Sequence, residues 1–325
     1  TGIGSKIPAA PGMPVNAGTE TATIRIDATG AVTAIFGVAS HGQGLETTLA
    51  QIVADDLGVR MEDIRIVQGD TAGRAYVTGT YASRSTVLAG GAAKLAAAAV
   101  REKVMLAASH LMEAAVEDLD ASNGVIFVRG TDRRMSFKEL ARKVYVEFAR
   151  LPKELQQELE ATRLYDPIVG TTSSASHIAL VEVDPVSYQV KVLKYVVAED
   201  CGRVVNPMIV EGQVHGGVAQ GIGAALLEEI VYSEDGQLMT GSLMDYVLPS
   251  ATEIPVMDVH HVEAESPSTL GGFRGMGEGG TIGAPAAIAN AVSDALAHLG
   301  IEINELPATP ERIFQLVERA RMKSV

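Results

Sequence analysis

The chain has 325 residues and a net charge of −14, from 26 Lys and Arg against 40 Asp and Glu, which excludes the basic surface that nucleic acid or an anionic membrane requires. Hydrophobic residues at 47% and charged residues at 20% describe a chain that builds cores, and aromatic residues at 4% with no Trp leave no stacking platform for single-stranded nucleic acid. One cysteine, Cys201, cannot supply a disulfide framework, a Cys-based zinc site or an iron–sulfur cluster, and it fits a reducing, cytoplasmic setting.

Thr1-Gly2-Ile3-Gly4-Ser5-Lys6 lacks an initiator Met and a signal-peptide pattern, as expected of a processed chain or the second part of something larger. No membrane insertion is expected, because no apolar run reaches about 20 residues; the Ala-rich stretch from Ala89 to Ala108 is broken by Lys94, Arg101, Glu102 and Lys103. Thr21 to Asp27 alternates polar and apolar, turns at Ala28-Thr29-Gly30 and returns from Val32 to Gly37, which predicts a hairpin. Ser40-His41-Gly42-Gln43-Gly44 then precedes a helix whose apolar residues fall at 45, 49, 52 and 53. His41 and Gln43 can hydrogen-bond a phosphate, an amide or an oxo group, or simply cap the helix.

Ile64 to Val67 reads as a strand, and Thr78 to Thr86 forms a hydroxyl cluster with one Arg before a helix from about Val87 to Glu113. Hydroxyls, backbone N–H groups and a guanidinium at a helix start are the parts of a phosphate site, and equally of an N-cap cluster. Val125 to Val128 is a further strand, and Ser136-Phe137-Lys138-Glu139 is a capping box for a helix to about Phe148. Lys153 to Ala161 reads as a polar, charged helix, and the division into two units is placed at 1–163 and 164–325.

The second half repeats the plan of the first. His177 to Val183 and Gln189 to Val197 form a hairpin, and the loop from Asp200 to Pro207 leads to a helix with glycines at 212, 216, 217, 221 and 223. Each helical glycine costs about 1 kcal/mol against Ala, which implies close packing against backbone or ligand. Gln213 and Gln220 lie about two turns apart, facing one ligand or a helix–helix contact. Asp258 to Glu263 is a strand whose adjacent His260 and His261 point to opposite sides and do not share a metal.

Gly271 to Gly280 holds six glycines and one carboxylate, Glu278, with no apolar period. Glycine allows positive φ and close approach of a ligand. The helix beyond is expected to open at Ala284-Pro285, with Pro285 in its first turn. Backbone N–H groups, a helix N-terminus and one carboxylate in a small volume suit an anionic cofactor beside a base; a flexible linker with a solvated Glu is the alternative. A last amphipathic helix follows Thr309-Pro310-Glu311.

Five motifs stand in one order: Ser40 to Gly44, Gly79 to Thr86, Glu211 to Gly223, Asp245 to Pro249, and Gly275 to Gly280. Together, over nearly the whole chain, they resemble the C-terminal half of the molybdenum-binding subunit of the xanthine dehydrogenase family, which includes aerobic carbon monoxide dehydrogenase, aldehyde oxidoreductases and N-heterocycle hydroxylases such as nicotinate dehydrogenase. The resemblance implies an α+β fold of two similar subdomains with mixed or antiparallel sheets, whose Gly-rich loops converge on a cofactor. That cofactor is molybdenum held by a pterin dithiolene, in bacteria usually extended by a cytosine dinucleotide, so no Cys/His cluster is needed. Glu278 matches the family's general base, while the metal supplies the acidified oxygen. His41, Gly42, Gln43 and Gly44 match a pterin-side loop, Thr80 with Ser83, Arg84, Ser85 and Thr86 a nucleotide–phosphate loop, and Gln213 and Gln220 the helix near the cofactor; Gly275, Met276 and Gly277 flank the base.

The family's larger N-terminal half, its iron–sulfur cysteines and its flavin domain are absent from this sequence. The resemblance therefore implies a larger molybdopterin subunit, an iron–sulfur subunit with a 2Fe–2S cluster and an FAD subunit as partners. The length suits the smaller of two split molybdopterin subunits, as in the nicotinate dehydrogenase type, and points to a small N-heteroaromatic substrate; carbon monoxide or aldehyde oxidation, or a non-catalytic scaffold role, are the alternatives. No phosphate-loop motif of the Gly-Lys-[Ser/Thr] type is present. Gly275, Gly277 and Gly280 match the letters of a dinucleotide fingerprint, but only Ile301 to Ile303 is available as the strand that should follow its helix.

Overall fold

The structure, a computed structural model, describes residues 18–71, 79–167 and 169–323. The expectations for Thr1 to Lys6 and for Thr78 lie outside the described residues. Strands β1 (Glu20–Ile26) and β2 (Val32–Phe36) pair antiparallel, Ala22 with Phe36 and Ile26 with Val32. Asp27 closes their turn by accepting a 2.7 Å hydrogen bond from the Thr29 N–H, and Gly30 takes φ 84° where its chain passes against Lys138. Helix α1 (Leu45–Leu57) crosses over to β3 (Ile64–Val67), which lies parallel to β2. Helix α2 (Ser85–Met112) packs across β1 and against α1. Its small apolar residues bury most of its circumference, and Leu95, Ala98, Glu102, Leu106 and His110 leave one exposed stripe.

Strands β4 (Leu119–Ser122), β5 (Val125–Val128) and β6 (Arg134–Ser136) make a small antiparallel sheet beside this core. Helix α3 (Phe137–Val146) starts on the expected cap, Ser136 Oγ accepting from the Glu139 N–H at 3.1 Å. The helix expected from Lys153 to Ala161 is not formed. Only a single turn, Lys153–Leu155, is helical, and the chain runs on into β7 (Glu160–Tyr165), which pairs antiparallel with the outer edge of β1. Pairing with an open sheet edge outweighs the propensity of a short charged segment that follows Pro152. The division drawn at 163/164 falls inside β7.

The second half repeats the order. Strands β8 (Ser174–Val183) and β9 (Val190–Asp200) form an antiparallel hairpin, helix α4 (Pro207–Leu226) crosses over, and β10 (Met257–His261) lies parallel to β9. Helix α5 (Gly279–Ala295) then packs on β8 and α4 as α2 packs on β1 and α1, and α6 (Pro310–Lys323) closes the chain. Each half has its own hydrophobic core; Phe273 reaches from the second half into the first, and Val205 packs against it there.

Two expectations are corrected here. Helix α5 begins at Gly279, not near Ala284, so Pro285 sits inside it and Glu278 becomes its N-cap residue. The glycines that read as loop are helical because α4 and α5 touch backbone to backbone: a Cβ on Gly217 would stand 2.8 Å from the Thr281 nitrogen, and one on Gly280 would overlap the Val214 carbonyl. Ile301 to Ile303 forms no strand, which removes the dinucleotide-fingerprint alternative. His260 is exposed while His261 turns inward to the Glu199 carboxylate, as strand alternation requires.

Candidate functional site

The repeat places four loops at one end of the two sheets, each leading into a helix: 37–44 into α1, 79–84 into α2, 201–206 into α4 and 271–278 into α5. They enclose an open cavity of about 300 Å³. Of the residues singled out in the sequence, His41, Gln43, Thr80, Ser83, Ser85, Thr86, Gln213, Met276, Gly277 and Glu278 line it.

Glu278 is half-buried, and its only described side-chain hydrogen bond comes from Ser83 Oγ, at 2.8 Å from Oε2. The Glu278 N–H donates back to the same Ser83 oxygen at 3.0 Å. Ala82 and Ser83 both hold left-handed backbone, φ 50° and 54°, a conformation costing about 1–2 kcal/mol at a non-glycine residue. Gly275 lies against this turn so closely that any Cβ would overlap the Ser83 carbonyl.

On the facing loop, Gln43 Oε1 accepts from the His41 N–H at 2.8 Å and from Ser40 Oγ at 3.3 Å, while its Nε2 is buried with no partner. Thr80 Oγ1 staples its loop to the neighbouring one, donating to the Ala39 carbonyl at 2.6 Å and accepting from Ser85 Oγ at 3.0 Å. Gly42 and Gly44 act through backbone alone, with φ 102° and 78°; a Cβ on Gly44 would meet Ile209 at 2.7 Å.

Two expected ligand contacts lie elsewhere. Arg84 is 1% exposed and donates inward, to the carbonyls of Gly79 at 3.1 Å and Thr19 at 3.4 Å, while stacking on the Tyr81 ring at 4.8 Å. It braces the loop and does not face the cavity. Gln220 is exposed and away from the cavity; two turns of α4 carry it past the loops that Gln213 faces.

Sequence reasoning missed Tyr81, Cys201 and Arg203, which also line the cavity. Their signal was positional, since 201–206 occupies in the second half the place that 37–44 holds in the first. The Arg203 guanidinium has no partner among the described residues, so it leaves a cation at the cavity rim. Arg274, in contrast, is committed to the Thr172 carbonyl at 2.6 Å and the Ala264 carbonyl at 3.1 Å. Burial, then the Glu199 carboxylate, pushes the Cys201 thiol up to about 12, so it stays protonated.

Unspent donors at Gln43 and Arg203, apolar walls and one poised carboxylate define a cavity for a polar, anionic cofactor. Among the described residues no three His, Cys, Asp or Glu side chains are grouped to hold a metal, so a metal here must arrive on other ligands.

The chain belongs to the molybdopterin cofactor-binding domain family, whose model matches residues 2–255. It is 43% identical over 297 residues to the nicotine 6-hydroxylase large subunit of Paenarthrobacter nicotinovorans, covering 91% of this chain and 36% of that one. It is 36% identical over 292 residues to the carbon monoxide dehydrogenase large chain of Hydrogenophaga pseudoflava, covering 90% and 36%. The crystal structure of quinoline 2-oxidoreductase from Pseudomonas putida 86 superposes with TM-score 0.86 at 45% identity, over 94% of this chain and 39% of that one. The chain thus spans a little over a third of the length of these relatives. The family read from the five motifs, and the α+β fold it implied, are those found.

Proposed function

We propose that this chain is the part of a molybdenum hydroxylase that holds one side of the pterin cofactor and supplies the catalytic base. The carrying observation is Glu278, fixed half-buried on a cavity whose lining also includes Gln43, with its Nε2 buried and without a partner. When bound, the molybdenum–pterin group would supply an oxygen nucleophile and accept the electrons. Glu278 would take up, at its carboxylate, the proton that this chemistry releases. Gln43, His41, Thr86 and Gln213 would hold pterin or phosphate oxygens, Arg203 would neutralise phosphate charge, and Met276 would exclude water from the same wall. His41, Gly42, Gln43 and Gly44 would form the pterin side and Thr86 the phosphate side, with Thr80 and Ser85 bracing the loop through their hydroxyls.

A cytosine dinucleotide form of the cofactor, an N-heteroaromatic substrate and a cytoplasmic location complete the reading. The relatives whose names carry nicotine and quinoline, at 43% and 45% identity, favour that substrate class over carbon monoxide at 36%. A larger molybdopterin polypeptide would close the open side of the cavity, with 2Fe–2S and FAD chains beyond it. The segment from 230 to 256 supports such a companion, exposing Ile230, Tyr232, Leu243, Met244 and Val256 without helix or strand. The two units are assigned to 1–163 and 164–325.

The test is the purified complex. Molybdenum and cytidine nucleotide should be present in equal amounts, a larger companion chain should co-purify, and turnover in ¹⁸O-water should place the label in a hydroxylated N-heterocycle. A complex with no molybdenum, or product oxygen drawn from dioxygen, contradicts the proposal.

A further inference from the structure

Ser83 was expected among the phosphate contacts, but its geometry gives it a different task. A serine hydroxyl has one proton to donate, and Ser83 directs it to Glu278 Oε2 at 2.8 Å while its oxygen accepts the Glu278 N–H at 3.0 Å. No donor capacity is left for a phosphate. Among the described residues no other group hydrogen-bonds that carboxylate: Arg274 is turned to carbonyls, and neither His41, Cys201 nor Arg203 reaches it.

We infer that Ser83 is a positioning residue for the base, locking the Glu278 carboxylate in the orientation that faces the cavity and joining the two halves of the protein at that point. The contact spans 195 residues and connects the loop before α2 to the loop before α5. Left-handed backbone at Ala82 and Ser83 aims the hydroxyl, and the absence of a side chain at Gly275 lets the two loops close on each other. The N–H bond fixes the Glu278 backbone against Ser83, and the carboxylate cannot swing without breaking its bond from the Ser83 hydroxyl.

The inference rests on the reading of Glu278 as the base, and the test separates the two. Ser83→Ala and Ser83→Gly are made in the assembled, cofactor-loaded complex. Glycine accepts φ near +54° more readily than serine, so Ser83→Gly removes the hydroxyl while relaxing the turn. Both variants should lose kcat by about tenfold to a hundredfold, with KM, molybdenum and nucleotide content unchanged, and a crystal structure of the Ser83→Gly complex should show the Glu278 side chain displaced. Wild-type kcat in Ser83→Gly, an unmoved Glu278, or loss of molybdenum in step with kcat would overturn the positioning role. Failure of the base reading appears elsewhere, as full turnover in Glu278→Gln.

Discussion

The two halves run through the same elements, hairpin, crossover helix, parallel strand, loop and long helix, yet the loops before their long helices differ in kind. In the first half that loop is hydroxyl-rich and spends its groups on structure: Thr80 staples the neighbouring loop, Ser83 clamps Glu278, and Arg84 holds the Gly79 and Thr19 carbonyls from a buried position. In the second half it is glycine-rich and ends in an acid at the N-cap of α5. One scaffold, used twice, yields a hydroxyl-braced loop on one side and a half-buried carboxylate on the other, which we read as cradle and base. Duplication supplies the convergence of four loops, and the chemistry comes from the few positions at which the copies diverge.

The largest expected effect tests that split. Glu278→Gln should lower turnover by about 10²- to 10⁴-fold while molybdenum and nucleotide content stay at wild-type levels, because the cradle is untouched. A variant that keeps its turnover would remove the difference between the halves.

Next comes the glycine contact between α4 and α5. Gly280→Ala drives a methyl into the Val214 carbonyl, and unfolding of the isolated chain should register a loss of about 1–3 kcal/mol. An unchanged midpoint would mean that the helices are not in backbone contact.

Gln43→Leu should weaken cofactor retention by about tenfold, the worth of one hydrogen bond, while loaded molecules keep their kcat; the molybdenum-to-protein ratio after dialysis measures it. This variant sharpens the contrast by touching only the cradle.

A smaller effect concerns pH. Burial holds His177 below the ordinary histidine range, with Nδ1 2.9 Å from the Tyr195 hydroxyl beneath α5. The unfolded chain takes up its proton near pH 6.5 and the folded chain resists it, so the stability His177 contributes is present above that value and fades as pH falls below it. His177→Phe should flatten the acid side of a plot of melting temperature against pH.

Much of this was legible locally. The two hairpins, the Ser136 capping box, the extent of α2 and the order of five motifs all depend on short-range patterns, and the structure bears them out. What stayed hidden depends on partners distant in sequence. Gly280 reads as loop because its helical reason lies 60 or so residues away in α4, at the Val214 carbonyl and the bare Cα of Gly217, and Gly283 because its neighbour is His177 of β8. Lys153 to Ala161 reads as a helix, although its last two residues enter β7, because the β1 edge that β7 completes lies at the start of the described chain. Arg84 reads as a phosphate ligand because a sequence gives a guanidinium without saying that Gly79 and Tyr81 of its own loop and the distant Thr19 carbonyl already surround it.

The most direct measurement is the anomalous molybdenum signal in crystals of the assembled complex. A peak inside the cavity ringed by the four loops, with the Glu278 carboxylate facing it and Ser83 still bound behind, is the predicted result. A peak outside that cavity, or Glu278 turned to bulk solvent while the metal is in place, would contradict the account.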